Sequence, residues 1–367
     1  MKLLISAGEA SGDQRGAEVL AALKRISPDP VEAFGLGGTR LASEGMIITH
    51  HLSSYAVMGF GEILLSLGKF LALEKELKTL CLKEKPDCIL LVDYPGFNMR
   101  LGRWAKKKGI PVIHYVAPQM WAWGTWRVRK LSKSTDLLLT LFAFEEPFFR
   151  DRGINAVFTG HPLKKLIPPK VAEGEFLGLL PGSRAQEVEK LLPAMLQAFN
   201  LLKDKGIVNK ALLAVSDHLE SKFYRDAENT TGVELINGTE EVLAGSKAAL
   251  VCSGTATLEA ALSGVPFVIC YKTSGFTYTL ARHLVKGVKM IGLANIIAGQ
   301  NIAPELIQND VTASRMTAYL EPLFTDENAA KTAKDRLSLV RDALGDGDPA
   351  ENTAREITRF LMKPDEN

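Results

Sequence analysis

Two glycine-containing stretches decide the fold: Leu179-Leu-Pro-Gly-Ser-Arg184 and, further along the chain, Cys252-Ser-Gly-Thr-Ala-Thr-Leu-Glu259. Each follows a short apolar run typical of a buried strand, and each opens a helical pattern. Free backbone N–H groups and the helix dipole favour an anion there, at the mouth of a parallel sheet. Arg184 adds a fork that can hold a phosphate, and Glu259 can reach ribose hydroxyls. The two loops therefore predict a site for a nucleotide sugar.

The rest of the chain alternates short β-branched or Leu-rich runs with longer amphipathic runs, which is typical of α/β proteins with doubly wound parallel sheets. The alternation breaks at the Pro- and Lys-rich segment Gly160–Lys170 and then restarts. We predict two Rossmann-like domains, residues 1–165 and 166–345, with a deep cleft between them. The break Gly345-Asp-Gly-Asp-Pro349 sets off a last helix within residues 346–367.

The pattern also predicts the individual elements. The predicted strands are Lys2–Ser6, Val31–Phe34, Cys88–Val92, Val112–Tyr115, Leu137–Thr140, Ala156–Phe158, Phe176–Leu180, Ala211–Val215, Val233–Ile236, Ala249–Val251 and Phe267–Cys270. The predicted helices are Gln14–Ile26, Gly61–Lys83, Met99–Lys108, Gln186 to about Lys203, a series that resumes near Pro304, and Ala350–Met362.

Composition limits the classes of function. The 367 residues are 46% apolar and 23% charged, with a formal net charge of +2, which gives no reason to expect nucleic acid as a partner. The four cysteines show no CxxC spacing, and we expect buried thiols in a reducing cytoplasm. No apolar window is long enough to span a membrane, and the N-terminus does not resemble a signal peptide. We expect a cytoplasmic protein that can still touch a membrane from one side.

Asp93, in Leu91-Val-Asp-Tyr-Pro-Gly-Phe-Asn98, is the candidate general base. It follows a buried strand at its carboxyl end, where open α/β sheets bind ligands. A carboxylate there can take a proton from an attacking hydroxyl. The alternative is a cap for the helix predicted to begin near Met99, and the spacing of five or six residues disfavours it.

The loop Gly8-Glu-Ala-Ser-Gly-Asp13 follows the first strand. Its glycines would allow the backbone to approach a ligand closely. The alternative is a simple strand–helix turn in which Asp13 is the N-cap. The loop does not match GxGxxG, which counts against a dinucleotide site.

Three of the four tryptophans lie in His114–Trp126, followed by the basic run Arg127–Lys130. Indole rings suit sugars and lipid interfaces, and the basic run could meet phosphate groups on an acceptor. A solvated helix start is the alternative. The apolar segment Val57–Leu73 favours a core helix, with insertion into a bilayer surface as the alternative.

No metal or cofactor is indicated. The sequence has no His, Cys, Asp or Glu cluster with metal-ligand spacing, no P-loop and no GxSxG motif. A bound diphosphate would then be neutralised by Arg184, by helix N-termini and by Lys272.

Taken together, these motifs resemble the lipid-A-disaccharide synthase family, in order and over nearly the whole chain. The resemblance rests on Gly8–Asp13, Val57-Met-Gly59, Asp93-Tyr-Pro95 with Phe97-Asn98, His114–Trp123, Gly160-His-Pro162, Leu180–Arg184, Ser253–Glu259 and Asn295-Ile-Ile-Ala-Gly299. It implies an inverting glycosyltransferase with the two-domain GT-B arrangement. The implied reaction joins UDP-2,3-diacylglucosamine to 2,3-diacylglucosamine 1-phosphate (lipid X) and releases UDP, in lipid A assembly at the inner face of the Gram-negative inner membrane.

The resemblance also assigns roles to residues. It implies that Asp93 is the base, with the N-terminal domain holding the acceptor and the C-terminal domain the UDP-sugar. The implied nucleotide-sugar ligands are Gly182, Ser183, Arg184, Ser253, Gly254, Thr255, Ala256, Glu259 and Asn295. The expected acceptor ligands are Gly8, Glu9, Ser11, Gly12, Trp121, Trp123 and Arg127. Family members are peripheral membrane proteins and can form homodimers, so the last helix either packs back on the N-terminal domain or is exchanged between chains.

The sequence departs from the family pattern at three places. Gly96 stands where many members have a second Asp, which removes one rival base. Ala294 replaces a common Pro, and Gly124 replaces a frequent Arg, so the acceptor phosphate would rely on Arg127 or Arg129. The rival functions are another UDP-sugar transferase or epimerase, a nicotinamide-dependent oxidoreductase, which the absence of GxGxxG disfavours, and a non-catalytic membrane scaffold.

Overall fold

The chain divides into two compact units. The computed structural model describes residues 1–55, 60–122, 124–168, 174–273 and 290–362, and for residues 60–67 it describes the backbone alone. Unit 1 comprises Met1–Pro162 with Gly345–Asn367, and unit 2 comprises Leu163–Leu344. Each unit has its own parallel sheet and its own core.

Unit 1 is built on seven parallel strands in the order β3-β2-β1-β4-β5-β6-β7. The strands are β1 (Lys2–Ala7), β2 (Glu32–Gly37), β3 (Ile47–His51), β4 (Cys88–Val92), β5 (Val112–Tyr115), β6 (Leu137–Thr140) and β7 (Ala156–Phe158). The helices are α1 (Ala10–Ile26), α2 (Thr39–Ser43), α3 (Phe60–Glu84), α4 (Pro95–Lys107), α5 (Val128–Ser132) and α6 (Glu145–Arg150). Strand β4 is buried at every position, as expected for a central strand with both faces covered.

Unit 2 is built on six parallel strands in the order β10-β9-β8-β11-β12-β13. The strands are β8 (Phe176–Leu180), β9 (Ala211–Val215), β10 (Val233–Asn237), β11 (Ser246–Cys252), β12 (Phe267–Tyr271) and β13 (Glu305–Ile307). The helices are α7 (Leu163–Leu166), α8 (Ala185–Asp204), α9 (Arg225–Glu228), α10 (Thr239–Gly245), α11 (Thr255–Leu262), α12 (Leu293–Ala298), α13 (Ala313–Thr325) and α14 (Glu327–Ala343). One apolar face of α8 packs on the sheet through residues such as Leu191, Met195 and Phe199.

The last helix, α15 (Pro349–Met362), packs against α1 in unit 1. The hydroxyl of Thr353 donates to that of Thr159 at 3.0 Å, and Arg25 pairs with Glu351 at 3.0 Å. The chain therefore returns to its N-terminal unit. Exchange of this helix between two chains stays a prediction.

The structure contains every strand that the sequence predicted, with small shifts at the ends, and two more. Strand β3 is a half-exposed edge strand, and β13 has three residues, so neither has a strong apolar pattern. The prediction that helices resume near Pro304 is wrong, because β13 follows directly and α13 begins only at Ala313.

Segment Val57–Leu73 falls largely outside the described side chains, and so do Trp123 and residues 169–173 and 274–289. Further along α3, Leu73 and Leu77 lie in the core of unit 1, while Leu71 is exposed. None of the helices in the described part of the chain is both long and apolar enough to cross a bilayer.

Candidate functional site

A cavity of about 460 Å³ lies at the carboxyl ends of β8, β9 and β11 in unit 2. Its lining includes both glycine-containing loops, through Gly182, Ser183, Arg184, Ser253, Gly254, Thr255, Ala256 and Glu259. These are all the predicted nucleotide-sugar ligands except Asn295. The lining also includes Leu180 and Cys252 from the two quoted stretches, and residues that the sequence analysis did not single out: Glu187, Ala214, Val215, Ser216, Asp217, His218, Gly238 and Thr239. Lys272 is exposed and is not part of this lining.

The first loop turns sharply from β8 into α8, and the carboxylate of Glu187 organises it. Gly182 has φ +110°, and a Cβ there would lie 2.4 Å from Glu187 Oε2, so only glycine fits. Glu187 Oε2 accepts from the N–H groups of Ser183 at 3.2 Å and Arg184 at 3.3 Å. Arg184 Nη1 donates to Glu187 Oε1 at 2.8 Å, although its side chain is 82% exposed. The donors of this first loop that are predicted to hold a diphosphate therefore contact a carboxylate of the protein itself.

The second loop joins β11 to α11 and is held at its start by two hydrogen bonds from Ser253. Ser253 N donates to the carbonyl of Cys270 at 3.0 Å, and the Ser253 hydroxyl donates to the carbonyl of Ile291 at 3.1 Å. Glu259, one turn into α11, accepts a hydrogen bond from Thr239 Oγ1 at 2.5 Å. This places a carboxylate on the wall of the cavity beside the loop. Burial raises the pKa of the neighbouring Cys252 thiol to about 12, with the negative charge of Glu187 adding to the effect.

Asn295 is not part of the cavity lining, and its fully buried amide makes its hydrogen bonds within the protein. Its Nδ2 donates to Asn301 Oδ1, Ala303 O and Glu305 Oε1, and its Oδ1 accepts from the N–H groups of Ile302 and Ala303. Glu305 in turn accepts from the N–H of Ile291, the residue whose carbonyl holds Ser253. The structure therefore connects Asn295 to the second loop through intermediates.

In unit 1, Asp93 lies directly after β4 in a turn with unusual backbone angles. Asp93 and Tyr94 have φ of +51° and +49°, the left-handed region that few residues other than glycine adopt. Asn98 holds this turn: it is fully buried and donates to the carbonyls of Asp93 at 2.8 Å, Val92 at 3.3 Å and Ser6 at 3.1 Å. The structure therefore fixes the carboxylate at the end of the central strand.

The Asp93 carboxylate has two neighbours, a backbone N–H group and an arginine side chain. Its Oδ1 accepts from the N–H of Tyr94 at 2.9 Å, and Arg15 Nη1 lies 3.7 Å from its Oδ2.

The prediction that the next helix begins near Met99 is wrong, since α4 begins at Pro95, and proline favours the first position of a helix. The N-cap of that helix is Tyr94, so Asp93 is not the cap itself.

The loop after β1 lies beside this turn. A Cβ on Gly8 would lie 2.4 Å from the ring of Tyr94, which explains the glycine. Burial raises the pKa of the Glu9 carboxyl, and the charge of Asp93 raises it further. Ser11 is exposed and Gly12 is buried, both in the first turns of α1. Four of the predicted acceptor ligands therefore lie on one loop and helix start.

The alternative interpretation of the first loop, in which Asp13 is the N-cap of the helix that follows it, is wrong. Helix α1 already begins at Ala10, and the buried Asp13 carboxylate accepts from the N–H groups of Gly38 at 2.6 Å, Arg40 at 3.0 Å and Leu41 at 3.3 Å. These are groups at the start of α2, which otherwise lack partners. The aspartate therefore caps the following helix through a tertiary contact.

The tryptophan segment is divided between core and surface. Trp121 Nε1 donates to Glu145 Oε1 at 3.0 Å, and its ring meets Phe144 edge-on at 5.0 Å. Burial raises the pKa of Glu145 to about 7, while the hydrogen bond from Trp121 opposes the shift. Trp126 is 69% exposed, with Lys130 Nζ 5.1 Å from its ring centroid, and Arg127 lies in the turn just before α5.

Two buried histidines lie among the strand ends of unit 1. His114 Nδ1 contacts Thr135 Oγ1 at 2.8 Å, and burial lowers its pKa to about 3. His161 stacks on Phe142 at 5.1 Å, and burial followed by the charge of Arg15 lowers its pKa to about 4. Both rings are therefore neutral near pH 7. Within the described ranges, no three His, Cys, Asp or Glu side chains are grouped to hold a metal ion.

Comparison with known proteins decides the family. Residues 3–357 match the family model described as lipid-A-disaccharide synthetase. The chain is 37% identical over 379 residues to a lipid-A-disaccharide synthase of Syntrophus aciditrophicus, covering 99% of this chain and 98% of that protein. The chain belongs to the lipid-A-disaccharide synthase family. It is a glycosyltransferase of lipid A biosynthesis.

Solved structures agree on the fold. The calicheamicin glycosyltransferase CalG4 has a TM-score of 0.60 at 15% identity, covering 99% of each chain. A UDP-GlcNAc 2-epimerase from Neisseria meningitidis bound to UDP-GlcNAc also has a TM-score of 0.60, at 16% identity, covering 99% of this chain and 100% of that one. These likenesses show that the chain has the two-domain α/β fold of GT-B enzymes.

Proposed function

We propose that this protein transfers 2,3-diacylglucosamine from UDP to the 6-hydroxyl of 2,3-diacylglucosamine 1-phosphate, forming a β-1,6 linkage and releasing UDP. The observation that carries the proposal is the cavity of unit 2, whose lining joins two helix-opening loops, one arginine and one helical carboxylate. Backbone N–H groups at a helix start and a guanidinium are suited to a diphosphate, and a carboxylate accepts hydrogen bonds from ribose hydroxyls. Family membership supports this choice of donor.

The diphosphate binds Arg184 and the backbone of residues 182–184 and 253–256. It displaces the carboxylate of Glu187 from the first-loop donors that this carboxylate contacts in the structure. Negative charge develops on the leaving diphosphate as its bond to the anomeric carbon breaks. Donors that are already oriented stabilise that charge without further rearrangement, which is commonly the largest contribution to catalysis. The arrangement requires no metal and no cofactor, and the UDP-sugar is a substrate.

Asp93 is the general base. It takes the proton of the acceptor 6-hydroxyl as that oxygen attacks the anomeric carbon from the face opposite UDP. The new C–O bond forms while the bond to the diphosphate oxygen breaks, and the electron pair leaves with UDP, so a single displacement inverts the centre. The turn held by Asn98 fixes the position of the carboxylate, and Gly8, Glu9, Ser11, Gly12, Trp121, Trp123 and Arg127 are the proposed surroundings of the acceptor.

The proposed reaction is tested by incubating the protein with UDP-2,3-diacylglucosamine and lipid X. We expect a disaccharide 1-phosphate with a β-1,6 linkage and one UDP for each disaccharide. Conversion of the donor into an epimer without the acceptor would instead indicate a UDP-sugar epimerase. Release of UDP without disaccharide would contradict the proposed acceptor.

Glu187→Gln is expected to strengthen UDP binding about two- to fivefold. The substitution removes a negative charge from beside the diphosphate, while the amide oxygen still accepts from the loop N–H groups. Calorimetric titration with UDP measures the effect. Glu189→Gln is the matched control, because Glu189 is exposed on the same helix and outside the cavity lining. Weaker binding by Glu187→Gln would mean that the carboxylate supports the bound state.

We also propose that unit 1 meets the inner face of the membrane through Trp126, Arg127, Arg129 and Lys130. An exposed indole flanked by cations suits the interface of an anionic bilayer. In flotation at low salt, we expect the protein to rise with vesicles containing phosphatidylglycerol. Trp126→Ala combined with Lys130→Gln should reduce that fraction. Failure of the unaltered protein to float would contradict membrane contact.

A further inference from the structure

The carboxylate of Glu259 is held from outside its own helix. Among the described residues, the hydrogen bond that fixes it comes from Thr239 Oγ1, which donates to Oε2 at 2.5 Å. Thr239 is the first residue of α10, and it lines the same cavity as Glu259. The contact therefore joins two elements, α10 and α11, at the wall of the cavity.

The hydroxyl of Thr239 is not needed to cap α10. The N-cap of that helix is Gly238, with φ +88°, and no side chain caps it. Threonine is moderately unfavourable inside a helix and gains its usual benefit at the cap position, one residue earlier. The hydroxyl is instead directed to the carboxylate of the neighbouring helix.

Holding one carboxylate oxygen determines what the other can do. A glutamate on a helix has three side-chain torsions, and an unheld carboxylate loses rotamer freedom when it binds a ligand. Glu259 lines the cavity, and with Oε2 held by Thr239 its Oε1 remains able to accept hydrogen bonds from a ligand there. A ribose carries adjacent 2′- and 3′-hydroxyls, which can donate to such an oxygen.

We propose that Thr239 is a positioning residue that orients Glu259 toward the ribose and thereby sets the preference for ribonucleotides over deoxyribonucleotides. The inference rests on the proposed function, in which a UDP-sugar occupies this cavity. It adds a residue and a source of specificity that the glycine loops and Arg184 do not supply.

The test compares the affinities for UDP, 2′-deoxy-UDP and 3′-deoxy-UDP in calorimetric titrations. The unaltered protein should bind UDP more tightly than at least one deoxy analogue. Thr239→Val, which keeps the shape and removes the hydroxyl, should weaken UDP binding about five- to tenfold. Its affinity for the discriminated analogue should stay within about twofold, because that analogue already lacks the hydrogen bond. Thr239→Ser should restore most of the preference.

Two further variants keep the interpretation unambiguous. Glu240→Gln changes the next residue of α10, which is outside the cavity lining, and should leave all three affinities unchanged. Glu259→Ala should abolish the preference. If it does so while Thr239→Val keeps the preference, the role of Thr239 is refuted and the proposed function stands. If the unaltered protein binds no UDP, the donor site itself is refuted. Equal weakening of all three ligands by Thr239→Val would show a structural role and overturn the inference.

Discussion

Asp93→Asn is expected to lower kcat by about a hundredfold or more while UDP affinity stays unchanged. The amide cannot take the proton of the acceptor hydroxyl, so the attacking oxygen must lose it without help. Asparagine tolerates the left-handed backbone that this position requires, at φ +51°, so the turn should be preserved. Its Oδ1 can still accept from the N–H of Tyr94. The loss should therefore be one of chemistry, measured as steady-state disaccharide formation with both substrates saturating.

Controls for this variant separate the base from its neighbours. Asp151→Asn alters an exposed carboxylate of unit 1 outside the site and should leave kcat unchanged. Glu9→Gln tests the other carboxyl that interacts with Asp93. The pKa of the Glu9 carboxyl is raised by burial and by the charge of Asp93. Near-normal turnover by Asp93→Asn would remove this residue from the role of base. If Glu9→Gln then showed the hundredfold loss, the role would pass to Glu9.

Arg184→Ala is expected to weaken UDP binding about tenfold to a hundredfold, since hydrogen bonds between charged groups contribute about 1.5–3 kcal/mol. The side chain is 82% exposed, so its removal should not unfold the protein. The UDP affinity of Arg184→Lys should lie between those of the unaltered protein and Arg184→Ala, because an ammonium keeps the charge and loses the fork that matches a phosphate. Calorimetric titration with UDP gives the affinities of all three proteins.

A suitable control is Arg315→Ala. Arg315 is also an exposed arginine of unit 2 paired with a carboxylate, Asp310, but it is not part of the cavity lining. Its removal should leave UDP affinity unchanged. An Arg184→Ala protein that binds UDP as tightly as the unaltered protein would show that the diphosphate is held elsewhere.

Local sequence patterns were enough to predict all the strands except β3 and β13, together with the two glycine-containing loops of unit 2. Buried parallel strands are continuous apolar runs, so β4 and β8 were readily recognised. The edge strand β3 has two apolar residues followed by three polar ones, with Ile47, Thr49 and His51 exposed, and β13 has three residues. Neither carries enough apolar signal to be separated from a loop.

The parts of the site that sequence reasoning missed depend on tertiary contacts. Glu187 stands at the third position of α8, where a capping box has Glu, and this could have indicated the carboxylate in the first loop even though the N-cap residue is Arg184. Nothing local connects Thr239 to Glu259, because their contact requires β10, α10 and β11 to be folded first. Asn295 differs in the opposite sense. It belongs to a family motif and was predicted to bind the nucleotide sugar, but its amide makes its hydrogen bonds within the protein.

Crystallographic determination of the protein with UDP tests the central claim most directly. The account predicts the diphosphate within hydrogen-bonding distance of Arg184 and the backbone of residues 253–256, with Arg184 moved away from Glu187 and the ribose against Glu259. A diphosphate bound away from both loops, with the pair between Arg184 and Glu187 intact, would contradict it.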